Sequence, residues 1–272
     1  MKTFWNFLFS IALFSFLSCT SSKGPGQGEH KELMKIFDRY KVHGSVLIYD
    51  TINQYYCGYN LQRADSGFLP ASTFKIANSI IGLETGLLNT KDTLFRWDGK
   101  ARRLKAWERD MTLKEAFQAS CVPCYQQVAR AIGPVRMSNW LHELDYGNMI
   151  VRGDNIDKFW LEGNSRISQR EQIDFLKRLY LEELPISAST YEAMKDIMLI
   201  EDAGNYKLYG KTGWAIRSNN NTGWFVGYYE TDGNIYFVAV NIEPATKEVP
   251  SDFEMIRKQI LSEVMQKLGL TV

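Results

Sequence analysis

The sequence has no surplus of charge: 32 Lys and Arg against 31 Asp and Glu leave a formal net charge of +1. A chain so balanced projects no field that gathers polyanions, and it has no Lys/Arg run or interleaved aromatic platform, so no nucleic acid is expected as a partner. Histidine is scarce, with 3 in 272 residues, and no second cysteine pair complements Cys121-x-x-Cys124, so a zinc site lacks ligands and no metal is expected. Cysteine itself is limited to four. Beyond Cys19 near the N-terminus, Cys57, Cys121 and Cys124 cannot all pair, so a disulfide scaffold is not expected and Cys121 and Cys124 read as two small buried thiols on a helical segment. No apolar run reaches the roughly 20 residues needed to cross a bilayer, and the longest, Phe4 to Leu17, is interrupted by Asn6. No internal repeat is present.

What is there begins with a leader. Met1-Lys2 followed by Phe4 to Leu17 and then Ser18-Cys19-Thr20-Ser21-Ser22 reads as an export signal over residues 1–19, with a single membrane anchor as the competing reading. Phe16-Leu-Ser-Cys19 also resembles a bacterial lipoprotein box, which leaves a membrane tether through a lipidated Cys19 open. An exported protein is expected, in a bacterial periplasm or held at its membrane. Residues 20–29 have the Ser/Gly/Pro composition of a flexible linker. The remainder, 30–272, is 45% hydrophobic in the chain as a whole and long enough for one large domain with a substantial core.

Along that domain, an amphipathic helix (Leu33, Ile36, Phe37, Tyr40) precedes a hairpin of Gly44–Asp50 and Tyr55–Tyr59 around the turn Thr51-Ile-Asn-Gln54. From Ala71 to about Ile200 helical patterns dominate, punctuated by Gly86, the capping box Thr112-x-x-Glu115 and Gly133-Pro134. Strands return at Tyr206–Gly210, Trp224–Tyr229 and Ile235–Ile242, the last two joined around Thr231-Asp-Gly-Asn234. A final helix from about Ser251 spaces Phe253, Ile256, Ile260, Val264 and Leu268 on one face. The expected fold class is α+β: an antiparallel β-sheet flanked by N- and C-terminal helices, with an inserted all-helical lobe at about 70–200.

Chemistry gathers in three places. Pro70-Ala-Ser-Thr-Phe-Lys75 opens a helix whose first turn holds Ser72, where free N–H groups and the helix dipole favour developing negative charge. Phe74, Ile76, Ala77, Ile80, Ile81 and Leu83 spread apolar surface around it, so Lys75 is expected to be buried, neutral and able to take the Ser72 proton. An ordinary serine and a lysine that snorkels to water is the bland alternative, since about one Ser-x-x-Lys arises by chance in a chain of this size. Ser120 lies at a junction of helices before Pro123, where it is either a simple N-cap or a hydroxyl aimed into a cleft. Lys211-Thr-Gly213 follows the strand Tyr206–Gly210, whose glycine admits a second backbone.

Ser-x-x-Lys, Ser-x-Val and Lys-Thr-Gly in this order are the layout of penicillin-recognising serine enzymes. The chain resembles the class D (oxacillinase) β-lactamases specifically, through Phe68-Leu-Pro-Ala-Ser-Thr-Phe-Lys75, Ser120-Cys-Val-Pro123, Tyr146-Gly-Asn148, Phe159-Trp-Leu-Glu-Gly163, Lys211-Thr-Gly213 and Gly223-Trp-Phe-Val-Gly227. The resemblance implies a small-molecule β-lactam substrate and an active site between sheet and helical lobe. It implies Ser72 as nucleophile, and Lys75 carrying a carbamate made from carbon dioxide or bicarbonate, with no other cofactor. Phe74, Val122 and Trp160 would form the carbamate pocket, and the tryptophan would hydrogen-bond the carbamate. Ser120 and Lys211 would pass a proton to the departing ring nitrogen, the N–H groups of Ser72 and Trp214 would form the oxyanion hole, and Thr212, Gly213 and Arg257 would bind substrate. Cys124 departs from the family, for which an aliphatic or aromatic residue is expected there; Gln127 and Trp214 fall at positions that vary among members and bear on substrate range, and the polar loop Arg217–Thr222 reads first as a solvated turn and otherwise as a further influence on that range. A non-hydrolytic penicillin-binding protein and a β-lactam sensor are the alternatives, and oligomeric state is left open.

Overall fold

The computed structural model describes residues 26–216 and 221–270. The leader, Cys19 and most of the polar loop Arg217–Thr222 lie outside the described residues.

The chain opens with strand β1 (Gly28–Glu29), a 3-10 turn and helix α1 (Met34–Arg39), then the hairpin β2 (Val42–Asp50) and β3 (Tyr55–Tyr59). β1 pairs with β3 in parallel, so the stretch read as flexible linker ends inside the sheet. After a single helical turn, α2 (Leu61–Ala64), come α3 (Lys75–Glu84), the two-residue ribbon β4 (Leu94–Phe95) and β5 (Met111–Thr112), α4 (Leu113–Gln118), α5 (Val122–Ile132), α6 (Pro134–Glu143), α7 (Gln169–Tyr180) and α8 (Ala188–Met198). The sheet is then completed by β6 (Leu199–Asp202), β7 (Tyr206–Ala215), β8 (Thr222–Thr231) and β9 (Ile235–Pro244), and α9 (Phe253–Lys267) closes the described chain. Strand order is β1-β3-β2-β9-β8-β7-β6, antiparallel apart from β1. This is the expected α+β architecture, with a small ribbon inside the helical insertion.

Side-chain alternation divides the core between two faces. On β9, Val238, Val240 and Ile242 face α1 and α9 and pack with Phe37, Phe253, Ile256 and Ile260; Phe237 and Ala239 face the helical lobe. The lobe is anchored by side chains on helical spacing, such as Ile76, Ala77, Ile80 and Ile81 of α3. Its helices start where the chain supplies caps. Thr112 and Glu115 form the expected capping box on α4, and Ser168 with Glu171 forms a second one on α7 that the sequence reading passed over.

The lobe and the sheet meet at β7. Its lower half pairs with β6 as far as Leu199 opposite Tyr209, while beyond Gly210 that edge has no strand beside it. Lys211-Thr-Gly213 therefore lies within a longer strand rather than after one, on the stretch whose edge is free. The other edge is close-packed: a Cβ on Gly210 would sit 2.5 Å from the Val226 carbonyl oxygen, so only glycine fits this crossing.

Candidate active site

The nucleophile turn begins as a 3-10 turn (Ala71–Phe74) before it relaxes into α3. Ala71 enters it at φ 49°, a left-handed conformation that costs about 1–3 kcal/mol in a residue other than glycine and is held only by its surroundings. Those surroundings are explicit. The Ala71 N–H donates to the Trp160 carbonyl (2.9 Å), Trp224 Nε1 donates to the Leu69 carbonyl (2.9 Å), and Thr73 Oγ1, which donates to the Pro70 carbonyl, accepts from Gln172 Nε2 (2.9 Å). Across the gap, a Cβ on Gly213 would lie 3.1 Å from the Pro70 oxygen and from Thr73 Cγ2, so glycine lets β7 close on the turn.

Ser72 keeps only 8% of its surface, and Lys75 none. Lys75 Nζ donates to Ser72 Oγ at 2.9 Å. Burial alone pulls the Lys75 ammonium down to about 7, since no carboxylate compensates the lost hydration. The amine thus has a substantial neutral fraction at neutral pH and lies within proton-transfer distance of an alcohol. It lies 5.2 Å from the centre of the Tyr125 ring, while Phe74 stacks on Trp160 at 5.2 Å. Val122 is half-buried beside this group, and the fully buried Trp160 leaves its indole Nε1 without a partner. A buried donor without an acceptor costs about 1–3 kcal/mol, so its persistence here is a functional signal.

Ser120 sits between α4 and α5 at φ 54°, outside both helices. The N-cap of α5 is Cys121, not Ser120. The serine hydroxyl is free to accept from Lys211 Nζ at 3.0 Å, and the same ammonium donates to the Thr212 carbonyl at 3.1 Å. Burial, and then repulsion from Lys75 and Arg257, hold Lys211 well below the ordinary lysine range. Ser72 and Ser120, each in contact with its buried lysine, line one cavity of about 310 Å³ whose walls include Thr212, Gly213, Trp214 and Arg257. Arg257 is 4% exposed, with Nε and Nη1 unpartnered, and burial lowers its guanidinium to about 10 without neutralising it at pH 7.

Of the residues singled out from the sequence, Ser72, Ser120, Val122, Thr212, Gly213, Trp214 and Arg257 line this cavity; Lys75 and Lys211 touch its two serines, Phe74 and Trp160 stack on each other in the core, and Gln127 lines a different pocket with Gly86 and Leu88. The reading of Cys121 and Cys124 fails: they form a disulfide, with Cα atoms 5.4 Å apart, and Cys57 is the free, buried cysteine among the described residues. The parity argument had overlooked that three cysteines leave room for one bond. The physical reason for the bond is the cap itself. An N-cap side chain folds over the amide three residues on, as the Cys124 N–H donating to Cys121 Sγ at 3.2 Å shows, and that brings the two sulfurs together. Closing so short a loop contributes about 2 kcal/mol by the chain-entropy estimate. Because the bond brackets Ser120 and Val122, Cys121→Ala/Cys124→Val is expected to lower Tm by about 5 °C in calorimetry, and to lower kcat/KM more than a distant change of equal stability cost does. Arg103, Leu104, Trp107, Gln126, Ile216 and Glu254 also line the cavity and were missed, because no motif or periodicity marks them, and so was Leu161, which lies within a quoted motif but was given no role.

The chain is similar to proteins of known kind. Residues 41–266 match the family model for the penicillin binding protein transpeptidase domain. The chain is 41% identical over 239 residues to β-lactamase OXA-48 of Klebsiella pneumoniae, covering 88% of each, and 38% identical over 276 residues to β-lactamase OXA-10 of Pseudomonas aeruginosa, covering 99% of each. The chain belongs to the class D β-lactamases. A crystal structure of a class D enzyme, YbXI from Nostoc, superposes with a TM-score of 0.83 at 41% identity, covering 88% of this chain and 99% of that one. Class D β-lactamases are hydrolases acting on β-lactam amides, and in this member Ser72, Ser120 and the sheet edge at Thr212 and Gly213 open onto one cavity, with Lys75 and Lys211 buried behind the two serines.

Proposed function

We propose that this protein hydrolyses the β-lactam amide of penicillin-type antibiotics through an acyl-enzyme on Ser72, and so confers resistance on the bacterium that exports it to its periplasm or tethers it there through Cys19. The observation that carries this reading is the Lys75 amine, fully buried, drawn to about 7 by desolvation and 2.9 Å from the Ser72 oxygen.

Substrate would lie along the free edge at Thr212 and Gly213, its carboxylate on the unpartnered Arg257 donors, a guanidinium being suited to paired contacts. The N–H groups of Ser72 and Trp214 would hold the oxyanion, each such donor being worth about 3–4 kcal/mol in related acyl transfer. Ser120, whose hydroxyl is fed by Lys211, would deliver the proton that the ring nitrogen needs to leave.

Carbon dioxide suits the Lys75 pocket on two counts: carbamylation requires a neutral amine, and the buried, orphaned Trp160 Nε1 is a donor in want of an anion. We assign Lys75 as N-carboxylated, which supplies an anionic general base for acylation and again for the water of deacylation. Phe74, Val122 and Trp160 keep bulk water from the amine, and the aromatic stack holds the indole in place.

Turnover of a chromogenic β-lactam, followed with and without added bicarbonate, tests the proposal. Multiple turnovers that speed up with bicarbonate are expected. A stoichiometric burst with no further hydrolysis would instead identify a sensor or a penicillin-binding protein.

A further inference from the structure

The cavity around Ser72 is richer in spare donors than in acceptors. Besides the two free nitrogens of Arg257, the Trp214 indole Nε1 is buried without a partner. Arg103 lines the same cavity from the loop between β4 and β5, exposed, with its guanidinium carbon 6.0 Å from the centre of the Trp214 ring.

Arg103 stands out against its own loop. Arg96 pairs with Asp110, Arg102 with Asp98, Lys105 with Glu108 and Arg109 with Glu115. Among the described residues Arg103 alone of these cations has no carboxylate. The one acid among the described residues of the cavity wall, Glu254, exerts its charge on Arg257 and Lys211 and forms no ion pair with Arg103, which stands over the Trp214 ring. Leu104, Trp107, Leu161 and Ile216 complete the wall with apolar surface. A ligand that satisfies this set carries one anion for Arg257, an apolar body and a second anion for Arg103.

We propose that Arg103 is a specificity-determining residue that favours β-lactams with a second carboxylate on the acyl side chain, the ring carboxylate being taken by Arg257. The inference rests on the β-lactamase reading above and names a substrate class within it. Arg103 is exposed, so its contribution is modest, sensitive to ionic strength and expressed mainly in KM.

Benzylpenicillin and α-carboxybenzylpenicillin differ by one carboxylate and provide the test. For Arg103→Ala, kcat/KM on the dicarboxylate is expected to fall about three- to tenfold, through KM, while benzylpenicillin changes less than about twofold. Arg103→Glu should deepen the loss and Arg103→Lys should recover most of it. In 0.5 M NaCl the difference between wild type and Arg103→Ala should shrink. Equal effects on the two substrates, or a charge reversal without effect, would overturn the role of Arg103 while benzylpenicillin turnover continued. A wild-type protein that turned over neither penicillin would overturn the β-lactamase reading and this inference with it.

Discussion

Lys75→Ala is expected to abolish acylation and deacylation together, with kcat/KM for a penicillin falling by about 10³-fold or more, at the upper end of what one general base supplies. Stopped-flow acylation and steady-state turnover on the same variant check it; an acylation rate within tenfold of wild type would remove Lys75 from the first step. Stability should move the other way once volume is kept. The folded protein holds the amine at about 7 where an exposed lysine titrates near 10.5, so between those values the unfolded chain binds a proton that the folded chain does not. Unfolding free energy therefore rises with pH across that window and is lowered at neutral pH, by on the order of 4 kcal/mol for this one group. Lys75→Met removes that cost and fills the same apolar space. It is expected to raise the denaturant midpoint at pH 7.5 while abolishing activity, a trade of stability for function. Bicarbonate offers an independent readout, because a ligand that binds only the folded state stabilises it by mass action. It should raise the midpoint of the wild type and leave that of Lys75→Met unchanged.

The parts of this site that were legible in the sequence are those fixed by local pattern. A lysine three residues after a serine on a helix that is apolar around its circumference has no route to water, so its burial follows from the segment alone. The runs Trp224–Tyr229 and Ile235–Ile242 on either side of Thr231-Asp-Gly-Asn234 marked β8 and β9, and Thr112 with Glu115 announced the start of α4. What escaped was decided by tertiary position. β7 runs on through Lys211-Thr-Gly213 because its partner β8 extends to Thr222, a pairing no property of those three residues requires. The Cys121–Cys124 bond was misread because an odd cysteine count was taken to argue against any disulfide, although the junction of two helices before Pro123, whose cap brings the two sulfurs together, was itself legible. Arg103 and Glu254 belong to an irregular loop and to the rim of a terminal helix, and only the folded chain brings them to the same cavity.

Trp160→Phe separates the shielding role from mere packing. Phenylalanine retains an aromatic ring for the stack on Phe74, at a core cost smaller than the about 3–5 kcal/mol expected of Trp→Ala, so the fold should survive. What disappears is the Trp160 indole N–H, a buried donor with no partner among the described residues. If that donor serves an anion on Lys75, its loss removes a hydrogen bond to a charged group, about 1.5–3 kcal/mol, and slows the dependent step by about 10–100-fold. Deacylation depends on that anion most, because a water has to be activated in the presence of the bound acyl group, whereas Ser72 already lies 2.9 Å from the Lys75 nitrogen in the free protein. The expected signature is a burst equal to the enzyme concentration followed by slow turnover, partly restored by raising bicarbonate. An equal loss in both steps, insensitive to bicarbonate, would mean that the Trp160 side chain acts only by packing beneath the turn that carries Ser72, since the carbonyl contact with Ala71 is left in place by the phenylalanine variant. The orphaned donor would then need another explanation.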